Sequence, residues 1–141
     1  MYIAPGPVSA VDVSNNSVSS SALTLTWMEI SLTNSDFSHY TVFYWPVRGP
    51  YGPIMASNRR KRQSAQAGEL TMNFTETTGT LTNLYGAVVY RIQVVAVVIM
   101  NGQEVIGDRS TAIEMTTLEG GKQICICTNY YISHYSTYCS P

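Results

Sequence analysis

The sequence predicts an all-β fold: a seven-stranded antiparallel Greek-key sandwich with a long mid-domain loop and an irregular C-terminal tail. Short segments of alternating apolar and polar residues recur along the chain, and clusters of turn-forming residues separate them. No window carries a sustained helical period. Ser and Thr are abundant, and charged residues make up only 12% of the chain, a composition that suits half-buried strands better than solvated helices.

The seven predicted strands cover residues 8–13, 22–29, 39–45, 70–75, 80–84, 87–100 and 110–117. Pro46 is expected to end the third strand, because proline has no N–H to donate to a ladder. Residues 47–68, which contain several Gly and Pro, form the long loop. Asn101-Gly102 predicts a tight hairpin turn between the last two strands.

The chain divides into an N-terminal lead (residues 1–5), one domain (6–118) and a Cys- and Tyr-rich tail (119–141) that is expected to be disordered. All three cysteines lie in the tail, so packing rather than disulfides must stabilise the domain. The longest apolar stretch, residues 87–100, is shorter than the roughly 20 residues that a membrane span needs. Residues 1–7 lack the features of a signal peptide, and we expect the chain to be part of a larger protein.

Three motifs carry a family resemblance. Leu23-Thr24-Leu25-Thr26-Trp27 is an alternating strand that ends in tryptophan, and Tyr40-Thr41-Val42-Phe43-Tyr44 is a second aromatic strand. Leu84 stands six residues before Tyr90, which is followed by alternating apolar residues. In this order, over residues 5–117, the motifs resemble the fibronectin type III family of cell-surface and matrix proteins.

The resemblance implies an immunoglobulin-like sandwich in which Tyr90 is a tyrosine-corner residue, its hydroxyl bonded to nearby backbone. The proline that usually follows Leu84 is missing, and the segment after the third strand is longer than usual. The expected core signature consists of Trp27, Tyr40, Tyr44, Leu84 and Tyr90.

The function that the resemblance implies is a non-catalytic, extracellular or cell-surface module for protein binding, adhesion or reception, whose partners are other proteins or neighbouring domains. The alternatives are a purely structural spacer and a cytosolic protein with a nuclear signal. No motif for a nucleophile or a phosphate loop is present, so we expect neither an enzyme nor a cofactor. Basic residues are not spread over a surface, and nucleic-acid binding is not expected.

A dense basic run lies in the long loop: Arg59, Arg60, Lys61 and Arg62. It resembles a furin-type processing site with cleavage after Arg62, and the Gly-, Pro-, Ser- and Ala-rich surroundings favour an accessible loop. The alternatives are a solvated loop and a nuclear signal.

Two N-glycosylation sequons begin at Asn15 and Asn73. Asn15 is expected in a polar turn, and Asn73 on the polar face of its strand.

Alternation also predicts an apolar stripe on the outer face of one sheet, because Phe43 and Trp45 point away from the inward tyrosines. The predicted contact face consists of Phe43, Trp45, Val95, Val97 and Ile99. Such a patch marks a contact surface. The alternative is that the chain's own tail covers it, through Ile124, Ile126, Tyr130, Tyr131 and Ile132.

The remaining candidate motifs do not support a site. Cys125, Cys127, His134 and Cys139 are soft ligands, but the single residue between the first two differs from zinc-site spacing, and no metal is expected. Gly107-Asp108-Arg109 has the wrong order for an Arg-Gly-Asp integrin motif.

Overall fold

The computed structural model describes residues 4–32, 36–53 and 69–120, without the side chains of residues 14–17. Nine strands lie in these ranges: β1 (Asp12–Val18), β2 (Leu23–Thr26), β3 (Asp36–Gly49), β4 (Gly52–Pro53), β5 (Leu70–Phe74), β6 (Thr78–Leu81), β7 (Val89–Met100), β8 (Gln103–Ile106) and β9 (Ile113–Thr116). The same ranges contain no helix of the length and apolarity that a membrane crossing requires.

The strands form two antiparallel sheets, which confirms the predicted all-β sandwich. The small sheet has the order β1-β2-β6, and Leu23 pairs with Leu81 between its last two strands. The large sheet has the order β4-β3-β7-β8, with β5 paired to β3 and β9 paired to β7. Its central ladder joins β3 and β7 from Asp36↔Ile99 to Arg48↔Val89.

The first strand differs from its prediction, because β1 covers Asp12–Val18 rather than residues 8–13. Ala10 has a φ of 52°, which interrupts the extended backbone before the ladder with β2 begins at Asp12. Asn15 therefore lies in a strand, where a polar turn was expected.

The prediction that Pro46 ends the third strand is wrong, since β3 continues to Gly49 and pairs with the short β4. β5 pairs with β3 only as far as Tyr44, so the proline lies beyond that ladder. The register with β7 shifts between Pro46 and Arg48. Edges and bulges are the places where a sheet accommodates proline.

β9 lies within the last predicted strand, residues 110–117, whereas β8 occupies a stretch that was expected to be loop. Asn101 and Gly102 have φ values of 51° and 77°, the left-handed conformations of the predicted hairpin turn. Between the two strands, the Ser110 hydroxyl accepts a hydrogen bond from the Val94 N–H at 2.9 Å. A side chain thus replaces a backbone partner where the ladder is interrupted.

The core lies between the two sheets and contains the inward residues of both. Trp27 meets Tyr40 edge to face, with ring centroids 5.4 Å apart, and Phe74 packs on Trp27 at 6.0 Å. Such pairs stabilise by about 0.5–1.5 kcal/mol beyond the burial of their area. The buried cluster is Val8, Val13, Leu23, Leu25, Trp27, Tyr40, Val42, Tyr44, Leu81, Leu84, Val88, Tyr90, Ile92, Val94 and Ala96.

Candidate contact face, processing loop and tyrosine corner

The predicted contact face is on the outer side of the large sheet, but most of it is not exposed. Trp45, Val95 and Val97 retain 6%, 1% and 3% of their accessible surface, and only Ile99, at 38%, is exposed. The prediction of a continuous exposed stripe is therefore wrong. β7 has neighbours on both sides, and Val97 lies in register between His39 on β3 and Ile106 on β8.

Phe43, the remaining residue of this face, is half-buried beneath an arginine. The Arg109 guanidinium carbon lies 4.0 Å from the Phe43 ring centroid, a cation–π contact. The same guanidinium donates hydrogen bonds to both carboxylate oxygens of Glu69, at 2.9 and 3.1 Å, and one to the Gln93 side chain at 3.3 Å. Glu69, Arg109 and Phe43 thus form a charged and aromatic cluster on the outer face.

Two further polar contacts cross the outer face between neighbouring strands. Arg91 on β7 donates to Glu114 on β9 through Nε at 2.9 Å. The Thr41 hydroxyl on β3 donates to the Asn73 side-chain oxygen on β5 at 2.9 Å. Both contacts are solvent-exposed, so each contributes little to stability on its own.

Tyr90 is buried at the end of the core, and its hydroxyl accepts a hydrogen bond from the Tyr85 backbone N–H at 2.9 Å. This is the geometry of a tyrosine corner, with the partner five residues upstream. A proline in place of Tyr85 would have no N–H to donate.

Burial controls the ionisation of three core tyrosines. It raises the pKa of Tyr90, and the hydrogen bond from Tyr85 opposes that rise. Burial also raises the pKa of Tyr44, and that of Tyr40, where a backbone hydrogen bond with Ile30 acts in the opposite direction. The phenolate form is disfavoured because the core offers it little solvation.

Trp27 and Leu84, the other members of the core signature, are also buried. The Trp27 indole Nε1 has no hydrogen-bond partner among the described residues. Its contribution to the domain is therefore the packing of its ring rather than a polar contact.

Thr117 follows β9 and holds this end of the domain together through hydrogen bonds. It is a buried polar residue that was not predicted from the sequence. Its hydroxyl donates to the Tyr85 carbonyl at 2.6 Å and accepts from the Val88 N–H at 3.0 Å. The next residue, Leu118, accepts from the Ala87 N–H at 2.9 Å and donates to the Ser19 carbonyl at 3.1 Å. Two loops and the exit segment are thereby joined, and we call this set of bonds the exit clasp.

Gly86 permits the close backbone approach in the exit clasp. A Cβ at this position would lie 1.8 Å from the Gly120 carbonyl oxygen and 3.1 Å from that of Leu118. No side chain fits there, so the exit segment packs directly on the backbone at residue 86.

The structure describes the asparagine side chain of one sequon, Asn73, but not that of the other, Asn15. Asn73 is exposed on β5, and its side-chain oxygen is held by Thr41, so the opposite edge of the amide carries the nitrogen to which a glycan is attached. Asn15 lies in β1, and its side chain is outside the description.

The basic run Arg59, Arg60, Lys61 and Arg62 lies outside the described residues, between Pro53 of β4 and Glu69. The cysteines of the tail, His134 and the apolar tail residues are outside them as well. Within the described ranges no three His, Cys, Asp or Glu side chains are grouped as metal ligands. The one histidine there, His39, is hydrogen-bonded through Nδ1 to the Ser38 hydroxyl at 2.9 Å.

Two antiparallel sheets, a shared aromatic core and a tyrosine corner define a protein module of the immunoglobulin-like class. The family model described as "Fibronectin type III domain" matches residues 6–116. The chain belongs to the fibronectin type III family, whose domains are generally non-catalytic and mediate contacts between proteins. No curated protein matches the chain in sequence.

Solved structures with this fold come from several animals. The third fibronectin III domain of human KIAA0343 protein is 23% identical with a TM-score of 0.57, and the match covers 84% of this chain and 86% of that one. The FN5 domain of Drosophila Lar is 18% identical with a TM-score of 0.54, covering 82% and 99%. The FN1–FN3 domains of chicken CNTN1 give 21% and 0.54, covering 82% of this chain but 33% of that one. At these identities the likeness establishes the fold alone.

Proposed function

We propose that this domain is a protein-binding or receptor module of a larger extracellular or cell-surface protein, and that it is cleaved after Arg62 while remaining one folded unit. Family membership supports the first part, although domains of this family occur inside cells as well as outside. The arrangement of the ladders supports the second.

The observation that carries the processing proposal is that three ladders join residues before Arg62 to residues after it. β2 pairs with β6, and β3 pairs with both β5 and β7. The core likewise draws on both parts, for example Trp27 and Tyr40 before the cut and Tyr90 after it. Cleavage would therefore leave two fragments that share two sheets and one core.

Treatment of the native, secreted protein with furin tests this proposal. We expect two bands on a denaturing gel but a single species of unchanged size on gel filtration. An Arg62→Ala variant should stay intact and serves as the matched control. A native chain that resists furin, while the denatured chain is cut, would contradict the processing proposal.

Glycosylation at Asn73 and Asn15 is the second element of the proposal, because an extracellular route requires passage through the compartment where sequons are modified. The exposure of Asn73 supports its modification. Mass spectrometry of the protein purified from the cells that produce it naturally, before and after enzymatic deglycosylation, measures the occupancy of both asparagines. Protein without glycan at either position would favour the cytosolic alternative.

A structural spacer is the second candidate function, and the burial of Trp45, Val95 and Val97 favours it, because it removes much of the expected contact face. Two exposed apolar residues remain here: Ile99, which belongs to this face, and Ile106, which pairs with Val97. For a binding module, an Ile99→Ser/Ile106→Ser variant should weaken binding of the labelled domain to intact cells. Tyr51→Ser, at an exposed residue between β3 and β4, is the control. Equal binding by all three proteins would favour the spacer.

A further inference from the structure

β5 is an edge strand, and its two ends are held differently. Its ladder with β3 runs from Tyr40↔Phe74 to Tyr44↔Leu70. At one end, Phe74 packs against the core and on Trp27. At the other end Leu70 is exposed, so few apolar contacts hold that end on the sheet.

Glu69 compensates for the weak packing at the Leu70 end. Both of its carboxylate oxygens accept hydrogen bonds from Arg109, which follows β8 in the chain and stacks on Phe43 of β3. The Glu69 side chain keeps only 13% of its accessible surface, and that of Arg109 keeps 42%. The ion pair therefore reaches across the outer face and fastens the loosely packed end of β5. A bidentate arginine–carboxylate pair is the geometry in which an ion pair is strong and directional.

The Glu69–Arg109 ion pair becomes more important after cleavage, because the cut removes one of the two chain connections of β5. Only residues 63–68 separate Arg62 from Glu69. In the intact chain β5 is tethered at both ends, whereas after a cut at Arg62 it is tethered only at its Phe74 end, where β6 follows. A strand with one free end frays from that end at a lower free-energy cost than a strand tethered at both ends.

We propose that the Glu69–Arg109 ion pair is a latch that keeps β5 on the large sheet once the chain has been cut. This inference rests on the proposed processing. With the latch open, β5 would fray from Leu70 towards Phe74 and leave the Tyr40–Tyr44 edge of β3 unpaired. An unpaired edge of this kind accepts a strand from another chain. The latch thus determines whether the cut domain stays closed.

Hydrogen exchange of two proteins, each measured uncut and cut, tests the latch. The full chain is prepared with residues 59–62 replaced by the recognition sequence of an unrelated site-specific protease, with and without Arg109→Gln. In the uncut pair, Arg109→Gln should change exchange of the β5 amides by less than about twofold. In the cut pair it should speed exchange about three- to tenfold, the range expected for losing a partly exposed ion pair and a cation–π contact.

Arg91→Gln is the matched control, because it breaks the other ion pair of the same face, between β7 and β9. Glu69→Gln removes the same latch from its other side and should reproduce the Arg109→Gln result. Thermal unfolding of the uncut variants checks that all three remain folded. Equal acceleration in cut and uncut protein, no acceleration in the cut protein, or an equal effect of Arg91→Gln on β5 would overturn the proposal.

The engineered cleavage separates this proposal from the one on which it rests. If furin fails to cut the unaltered chain, the processing proposal fails, while the engineered cut still shows whether the ion pair retains β5. If furin cuts but Arg109→Gln leaves exchange of β5 unchanged in the cut protein, the latch alone is refuted.

Discussion

Replacing Tyr90 by phenylalanine removes one buried oxygen atom and leaves the ring in the core. The hydroxyl accepts the Tyr85 N–H at 2.9 Å, and this donor is partly buried. The net contribution of such a bond is about 0.5–1.5 kcal/mol, and the unpaired N–H adds a desolvation penalty, so Tyr90→Phe should lower the free energy of unfolding by about 1–2 kcal/mol. For a domain of this size that corresponds to a fall in Tm of about 5–10 °C.

Equilibrium urea unfolding followed by tryptophan fluorescence gives this difference directly. Tyr44→Phe is the control, because Tyr44 is also buried, yet its hydroxyl makes no hydrogen bond within the described ranges. We expect Tyr44→Phe to change stability by less than about 0.5 kcal/mol. The reasoning would be refuted if both variants lost equal stability, or if Tyr90→Phe were as stable as the parent.

Two further predictions concern the exit clasp and the core tyrosines. Gly86→Ala places a methyl group 1.8 Å from the Gly120 carbonyl oxygen and should cost about 1–3 kcal/mol in thermal unfolding. Gly6→Ala, with nothing within 4 Å of its added Cβ, should be nearly neutral, and equal losses would contradict the assigned contact. Because burial raises the pKa of Tyr40, Tyr44 and Tyr90, the unfolded chain loses these protons at lower pH than the folded domain. Stability should therefore be unaffected by these groups below pH about 10 and should fall as the pH rises above it. Urea midpoints from pH 8 to 11 should fall less steeply for Tyr90→Phe than for the parent, and parallel curves would contradict the assigned burial.

The fold class and most strands could be predicted from the sequence, because a period of two is a local property. Leu23 and Leu25 on β2, and Tyr40, Val42 and Tyr44 on β3, share a buried face as their alternation predicts. The start of β1 could not be predicted, since it depends on the left-handed conformation of Ala10. The path of β3 past Pro46 depends on where the neighbouring strand β5 stops, which is a property of the assembled sheet.

The contact face shows why a site is harder to predict than a fold. Alternation predicts the side of the sheet on which Phe43 and Trp45 lie, but it does not predict which other side chains cover them. Arg109 and Glu69 are 40 positions apart in the sequence and meet only when β5 and the end of β8 lie on the same sheet. In the sequence, Arg109 stands out only as part of the reversed Gly107-Asp108-Arg109 motif, and Glu69 belongs to no motif. Neither residue carried a local signal of the pair.

The exit clasp also affects how the domain would bear a mechanical load. Thr117 and Leu118 lie between Gly120 and the end of β9, so tension applied to the chain beyond residue 120 reaches their bonds before it reaches the β7–β9 ladder. Those bonds lead to Ser19, Tyr85 and Val88 in two separate loops. The load would thus be distributed over two loops at once, rather than peeling a terminal strand away one residue at a time.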